Sequence, residues 1–204
     1  MNAFVRSLGI LVACLPSVRA AVIWSGPRDI SLPSNINGVF VNLVTGTATT
    51  TTDLDFINTD INFFFGGDGI LTGPGLLPAR TGTAPTDPIM LVSAGIPVDE
   101  TMNFASPGFG ASQGHIGAGP GQFPSGTEGY FAFQFDPSKT NNYAYGWMRV
   151  TLTDGSGPGT LHDWAYSNTP GEPVSVGVVP EPRTLALAGL GLALFAARRR
   201  PGRA

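Results

Sequence analysis

Histidines and carboxylates are the side chains in this sequence that could perform acid–base chemistry. There are two histidines: His115 in a glycine-rich stretch, and His162 beside Asp163. Because successive side chains of a strand point to opposite faces, adjacency alone does not let Asp163 orient His162 as in a hydrolase triad. We therefore expect structural or surface roles for both histidines.

Paired carboxylates are a second candidate chemistry. Glycoside hydrolysis needs two acids facing each other across a cleft, and Glu128 with Asp163 or with Asp136 is the pair to consider. Nothing in their spacing supports such a pair. We expect a protein that is not an enzyme and has no cofactor.

An acidic stretch is a candidate metal site. The stretch DLDFINTDIN contains Asp53, Asp55 and Asp60 together with Asn58 and Asn62. Their side chains offer the hard oxygen ligands that suit Ca²⁺. The stretch lacks the central glycine and the bidentate glutamate of an EF-hand, which favours a solvated acidic turn.

An aromatic row is a candidate sugar-binding face. Tyr143, Tyr145 and Trp147 fall on one side of a strand and would stack on sugar rings if that side were exposed. Such a row is more often core, because aromatic side chains bury large areas.

Short alternating stretches predict the strands that must position these residues. In GYFAFQFD, Phe131, Phe133 and Phe135 share one face, which predicts a half-buried strand. Similar stretches are YAYGWMRVTLTDG, TLHDWAYSN, GVFVNLVTG, DINFFF, IMLVSAG and VIWSG. Apolar residues keep a helical period for no more than about a turn. The sequence predicts an all-β domain, a single antiparallel β-sandwich of jelly-roll-like form.

Between Gly66 and Gly126, glycine and proline dominate. GGDGILTGPGLLPARTGTAPTDP and SPGFGASQGHIGAGPGQFPSG predict long loops. No fixed-period repeat or hinge composition marks a second folded domain.

Residues 1–20 have the order of a secretory signal peptide. Arg6 supplies the positive charge, residues 7–15 are mainly apolar, and cleavage is predicted between Ala20 and Ala21 by signal peptidase. The alternative is a lipoprotein box ending at Cys14, the only cysteine, although the apolar stretch before it is short. In the first interpretation the mature protein has no thiol.

Without its two ends the chain is clearly acidic. Residues 21–179 carry four basic and thirteen acidic side chains, a net charge of −9 against −3 for the whole chain. Four scattered cations make no basic patch, so nucleic-acid binding is disfavoured.

Residues 180–204 combine three features in order. Pro180 and Pro182 predict an extended stretch that would leave Glu181 accessible. The apolar segment 185–197 would extend about 20 Å as a helix, against a hydrocarbon core of about 30 Å, so it is marginal as a permanent span. An arginine cluster follows and stays on the cytoplasmic side, which places the body on the far side. The membrane-holding residues are Leu185, Leu187, Leu190, Leu192, Leu194, Phe195, Arg198, Arg199 and Arg200.

This ending resembles a PEP-CTERM sorting signal. The resemblance implies recognition by an exosortase, a transpeptidase-like membrane enzyme of Gram-negative bacteria that make exopolysaccharide. It further implies removal of the tail and delivery to the cell envelope or extracellular matrix. A plain tail anchor with an incidental Pro-Glu-Pro is the alternative.

Two internal stretches also carry a resemblance. VIWSGPRDISLPSNINGVFVNLVTG and YGWMRVTLTD with LHDWAYSNTPGEPVSVG resemble secreted bacterial proteins of undefined activity, which lend no catalytic residue. The sequence thus divides into a signal peptide (1–20), a β-sandwich domain (21–179) and a sorting segment (180–204). The expected function is structural or adhesive, with transient contact with the inner membrane and exopolysaccharide as an expected partner. The alternative is a carbohydrate-binding module using exposed aromatic residues or the glycine-rich loops.

Overall fold

The computed structural model describes residues 21–105 and 114–179. The predicted signal peptide and the predicted sorting segment lie outside these residues. The strands are β1 Val22–Trp24, β2 Ile30–Leu32, β3 Val39–Val41, β4 Ala48–Thr49, β5 Ile61–Phe64, β6 Gly69–Thr72, β7 Leu76–Pro78, β8 Pro97–Val98, β9 Glu128–Phe135, β10 Ala144–Thr151, β11 Gly159–Ser167 and β12 Val174–Ser175.

A six-stranded sheet, the main sheet, forms the centre of the domain. Its order is β1-β11-β10-β9-β7, and β2 pairs with β11 beside β1. All its pairs are antiparallel. The three long strands β9, β10 and β11 follow one another as a meander, and each coincides with a stretch whose alternation predicts it.

A four-stranded sheet, the small sheet, packs on one face of the main sheet. Its order is β4-β3-β5-β6. Val41, Ile61 and Phe63 point from it into a core that also contains Phe131 and Phe133 of the main sheet. The rings of Phe63 and Phe131 lie 6.5 Å apart between centroids. This pairing confirms the predicted all-β fold built from antiparallel sheets.

A third layer covers part of the other face of the main sheet. Strands β8 and β12 pair with each other, and Val98 and Val174 pack there against Trp147 and Ala165. Because both faces of the main sheet carry a core, β9 is not half-buried as predicted. Phe131 on one face and Ala132 on the other are both fully buried.

The glycine-rich stretch after Gly66 is more ordered than predicted. Strands β6 and β7 lie within it, where flanking glycine and proline hide their short apolar runs. Conversely, IMLVSAG forms no strand and contributes only isolated bridges, through Ile89 to Arg80 and through Val92 to Tyr130.

Helix is scarce among the described residues. A single 3-10 turn, Phe65–Gly67, is the helix that the described ranges contain. Over the same ranges, no helix has the length and apolar character needed to cross a membrane.

Candidate functional site

The aromatic row considered for sugar stacking belongs mainly to the core. Trp147 is 1% exposed and Tyr145 is 6% exposed. Their rings pack on Tyr130 and Phe104, at centroid distances of 5.6 and 5.8 Å. Tyr143 is partly exposed. The stacking hypothesis is therefore corrected for Tyr145 and Trp147, because the third layer covers the face on which they lie.

The acidic stretch considered for calcium uses its oxygens internally. The Asp53 carboxylate accepts two backbone N–H bonds and the Thr59 hydroxyl at 2.7 Å. Asp60 accepts the N–H of Leu43 at 2.7 Å, and Asp55 is exposed. Among the described residues no group of three or more histidine, cysteine or acidic side chains could hold a metal ion. The arrangement favours the acidic turn over the metal site.

His115 is a core residue. It is fully buried, and its Nε2–H donates to the carbonyl of Gly67 at 2.8 Å. Burial lowers the pKa of His115 more than this carbonyl raises it, so the imidazole is neutral. Its Nδ1 has no hydrogen-bond partner among the described residues.

His162 lies at a β-bulge between β10 and β11. Arg149 pairs with Asp163 and Val150 pairs with Leu161, so His162 is the extra residue of β11. Leu161 and Trp164 both face the core below the small sheet, which leaves His162 and Asp163 on the opposite face. The expectation that these two neighbours point to opposite faces is therefore wrong at this position.

The bulge assembles a polar cluster of six side chains. His162 Nδ1–H donates to Asp29 at 2.8 Å, and its Nε2 lies 2.9 Å from the hydroxyl of Thr151. Glu128 lies 3.8 Å from the same Nε2 and 3.4 Å from the guanidinium of Arg149. Arg149 also binds Asp163, whose hydrogen bond and charge raise the pKa of the guanidinium. These residues, Asp29, Glu128, Arg149, Thr151, His162 and Asp163, are called the polar cluster below.

The cluster contains an acid–imidazole–hydroxyl series, Asp29–His162–Thr151, which is the order used by triad hydrolases. Such enzymes place hydrogen-bond donors where negative charge develops next to the nucleophile. Here the carboxylate of Glu128 approaches Nε2 instead, which would repel that charge. The geometry disfavours acyl transfer.

Of the two carboxylate pairs that could serve glycoside hydrolysis, the structure brings Glu128 and Asp163 together and separates Glu128 from Asp136. Glu128 and Asp163 come together, but as two partners of one cation, Arg149. Glu128 opens β9 and Asp136 follows its last residue, about 25 Å away along an extended strand. Asp136 accepts backbone N–H groups of the β9–β10 connection and shapes that turn.

The described residues end directly before the Pro-Glu-Pro. Val176 is fully buried, and its N–H donates to the carbonyl of Ile96 at 3.0 Å. Gly177, with φ +72°, then turns the chain beside the hydroxyl of Tyr130. Val178 and Val179 are 55% and 38% exposed, so the last described residues lie at the surface of the domain.

A comparison with known protein families finds a match that begins at Val178, next to the end of the described residues. The model of the PEP-CTERM protein-sorting motif matches residues 178–200. The chain carries a PEP-CTERM sorting signal. The signal implies an exported protein whose membrane-anchored precursor is processed by an exosortase. No curated protein and no solved structure matches the chain.

The match confirms the PEP-CTERM signal that the sequence predicts over residues 180–204, with slightly different bounds, 178–200. The Pro-Glu-Pro, the apolar segment and the arginines lie outside the described residues. The polar cluster was not predicted, because a β-bulge has no clear signature in the sequence. The sequence also contains Gly-Ala-Ser-Gln-Gly at 110–114, the spacing of a hydrolase nucleophile elbow. Its serine, Ser112, lies outside the described residues. An elbow joins a strand to a helix, whereas residues 115–123 after it form turns and one isolated bridge.

Proposed function

We propose that this chain is a structural or adhesive protein of the cell envelope or extracellular matrix, without enzymatic activity, that an exosortase delivers there. The observation that carries the proposal is the PEP-CTERM signal, which begins at residue 178, two residues after Val176, the last fully buried residue of the described ranges. Residues 177–184 separate Val176 from the apolar segment that begins at Leu185, and the exosortase would meet the Pro-Glu-Pro within this short connection.

The contacts of the candidate catalytic groups support a role without catalysis. His115 is buried and neutral, and His162 is held between Asp29 and Thr151. Glu128 and Asp163 share Arg149. Each of these groups serves the fold, which favours a domain that acts through its surface.

The predicted mature N-terminus is consistent with export. The N–H of Ala21 donates to the amide oxygen of Asn168 at 3.0 Å, and the carbonyl of Ala21 accepts the Asn168 N–H at 2.9 Å. Cleavage after Ala20 would leave the new amino group in place beside Asn168. We propose that signal peptidase cuts there, and that the inner membrane holds the chain only until the tail is removed.

The test is to fractionate the native host and measure the intact mass of the protein in each fraction. A chain that begins at Ala21, lacks the apolar tail and lies in the envelope or matrix fraction is the expected result. A protein that retains residues 185–204 in the inner membrane would contradict the sorting proposal.

Activity is tested separately on the same material. A fluorophosphonate probe reacts with activated serines, so labelling of Ser112 that is lost in Ser112→Ala would contradict the absence of enzymatic activity. Absence of labelling in the folded protein is the expected result.

A further inference from the structure

An Asn-Gly dipeptide, Asn37-Gly38, lies in the loop between β2 and β3. In such a dipeptide the backbone nitrogen of the glycine can attack the side-chain amide carbon of the asparagine, because glycine has no side chain to hinder the approach. The new N–C bond closes a five-membered succinimide ring and expels ammonia, and water then opens the ring to aspartate or isoaspartate. The asparagine is thereby converted into an acid without an enzyme, an oxidant or a cofactor.

The fold requires the glycine of this dipeptide. Gly38 is buried and has φ +63°, a left-handed conformation that favours glycine. A Cβ at this position would collide with the carbonyl oxygen of Phe63 on the neighbouring strand β5. A larger residue at position 38 would therefore protect the asparagine only by distorting the small sheet.

The asparagine of the dipeptide is accessible to water but fixed through its backbone. Asn37 is exposed on the loop. Its backbone carbonyl accepts the side-chain Nδ2–H of Asn62 at 3.3 Å, and Asn62 is only 4% exposed. This hydrogen bond ties the loop to the small sheet.

The side chain of Asn35 holds the attacking nitrogen. Its Oδ1 accepts the N–H of Gly38 and the N–H of Asn37, each at 3.0 Å. The nitrogen of Gly38 must leave this hydrogen bond and lose its proton before it can attack. Asn35 is itself held in place, because its carbonyl accepts the N–H of Phe65 at 3.0 Å. The nitrogen therefore becomes reactive only when the loop opens.

We propose that Asn37 is a site of spontaneous deamidation, and that the amide of Asn35 sets its rate by keeping the nitrogen of Gly38 hydrogen-bonded. The proposal depends neither on the sorting pathway nor on the proposed function, so each can fail without the other.

The product should weaken the small sheet. Isoaspartate lengthens the main chain by one carbon before Gly38, and the former backbone carbonyl of Asn37 becomes part of a free carboxylate. The nearly buried amide of Asn62 then loses its partner, and Gly38 is displaced from its position against Phe63. The reaction also adds a negative charge to a domain that is already acidic.

The test is to incubate the purified mature protein at mildly alkaline pH and to follow the exchange of NH₂ for OH at Asn37 by mass spectrometry of its peptides. Electron-transfer fragmentation distinguishes aspartate from isoaspartate, and both should form because the succinimide opens at either carbonyl. We expect Asn37 to react more slowly in the folded protein than in the same protein unfolded in urea. Asn141, which Asn142 follows in the β9–β10 connection, is an internal reference for opening elsewhere in the chain.

Variants at position 35 test the protecting amide. Asn35→Ala removes the acceptor and should raise the deamidation rate at Asn37 by up to about tenfold, the change expected from the loss of one hydrogen bond. Asn35→Asp is the matched control, because it keeps an oxygen acceptor for both N–H groups and should react no faster than the parent. Asn37→Gln should abolish the reaction, because its longer side chain would have to close a six-membered ring.

The variants also separate local from global opening. If Asn35→Ala unfolds the whole chain, Asn141 will react faster as well, and the comparison of folded with unfolded parent protein then decides. Equal rates at Asn37 in the folded and the unfolded parent would overturn the proposal. So would equal rates in folded Asn35→Ala and Asn35→Asp, or the absence of any acid at position 37 in Asn35→Ala.

Discussion

Arg149 binds Asp163 through two nitrogens, Nε to Oδ1 at 3.1 Å and Nη2 to Oδ2 at 2.9 Å, across the β10–β11 pair. On the same face of β10, Tyr145 and Trp147 lie under the third layer. Arg149 lies on the same face of β10, beyond the part that the third layer covers. Its side chain is 30% exposed, and that of Asp163 is 6% exposed. The strand thus passes from apolar core to paired charges within a few residues.

This pair predicts a stability effect of Arg149→Met. Removing the cation leaves a nearly buried carboxylate without its partner, which we expect to lower the free energy of unfolding by about 2 kcal/mol. Urea unfolding measures it. Arg28→Met is the matched control, because Arg28 is exposed and lies 5.8 Å from the Trp164 ring, so its loss should cost less than about 1 kcal/mol. Equal losses in the two variants would show that the Asp163 pair does not stabilise the fold.

The long strands could be predicted because their side chains alternate over eight or nine residues. The alternation of Phe131, Phe133 and Phe135 predicts β9. The strands β6 and β7 are too short for such an alternation of apolar and polar residues to be recognised among the glycines. The burial of Trp147 depends on the third layer, and no local pattern reveals that β8 and β12 pair above it.

The candidate sites divide in the same way. The PEP-CTERM signal is contiguous in the chain, so its three parts could be predicted in order from residues 180–204. The polar cluster joins Asp29 to His162 at a bulge between β10 and β11. It depends on strand pairing between residues far apart in the chain, which a single sequence does not reveal.

His115 predicts a pH dependence of stability. Its pKa is lowered in the folded state, mainly by burial, so the unfolded chain takes up the proton first as the pH falls below about 6.5. The free energy of unfolding should therefore be greatest above that pH and should decrease toward pH 5.5. The slope from one such group is at most about 1.4 kcal/mol per pH unit.

Urea unfolding of the parent and of His115→Gln at pH 7.5 and 5.5 measures this dependence. Gln keeps a donor for the Gly67 carbonyl and does not titrate, so the variant should lose less stability between the two pH values. An unchanged difference would mean that protonation of His115 does not limit stability in acid.

Tryptophan accessibility gives a third prediction. The chain has three tryptophans, of which Trp147 and Trp164 are each 1% exposed and Trp24 is 38% exposed. Acrylamide should therefore quench only the Trp24 fraction of the emission, and Trp24→Phe should remove nearly all quenching. Strong quenching in the Trp24→Phe variant would contradict the burial of the two core indoles.

The PEP-CTERM signal itself gives the last prediction. Replacing Pro180, Glu181 and Pro182 by alanine should leave export and folding intact and trap the protein in the inner membrane of its host. The apolar segment and the arginines would still hold the chain there, while the exosortase would have nothing to recognise. Fractionation with an antibody to the folded domain measures the distribution.

Replacing Arg198, Arg199 and Arg200 by serine is the informative counterpart. It removes the positive charge that keeps the chain end in the cytoplasm. Because the segment 185–197 is too short to anchor the chain by itself, the whole protein should be translocated into the periplasm without cleavage of its tail. The two variants should thus fail in different compartments. If the Pro-Glu-Pro variant reaches the surface or medium like the parent, the motif is incidental and the tail acts as a plain anchor that other proteases release.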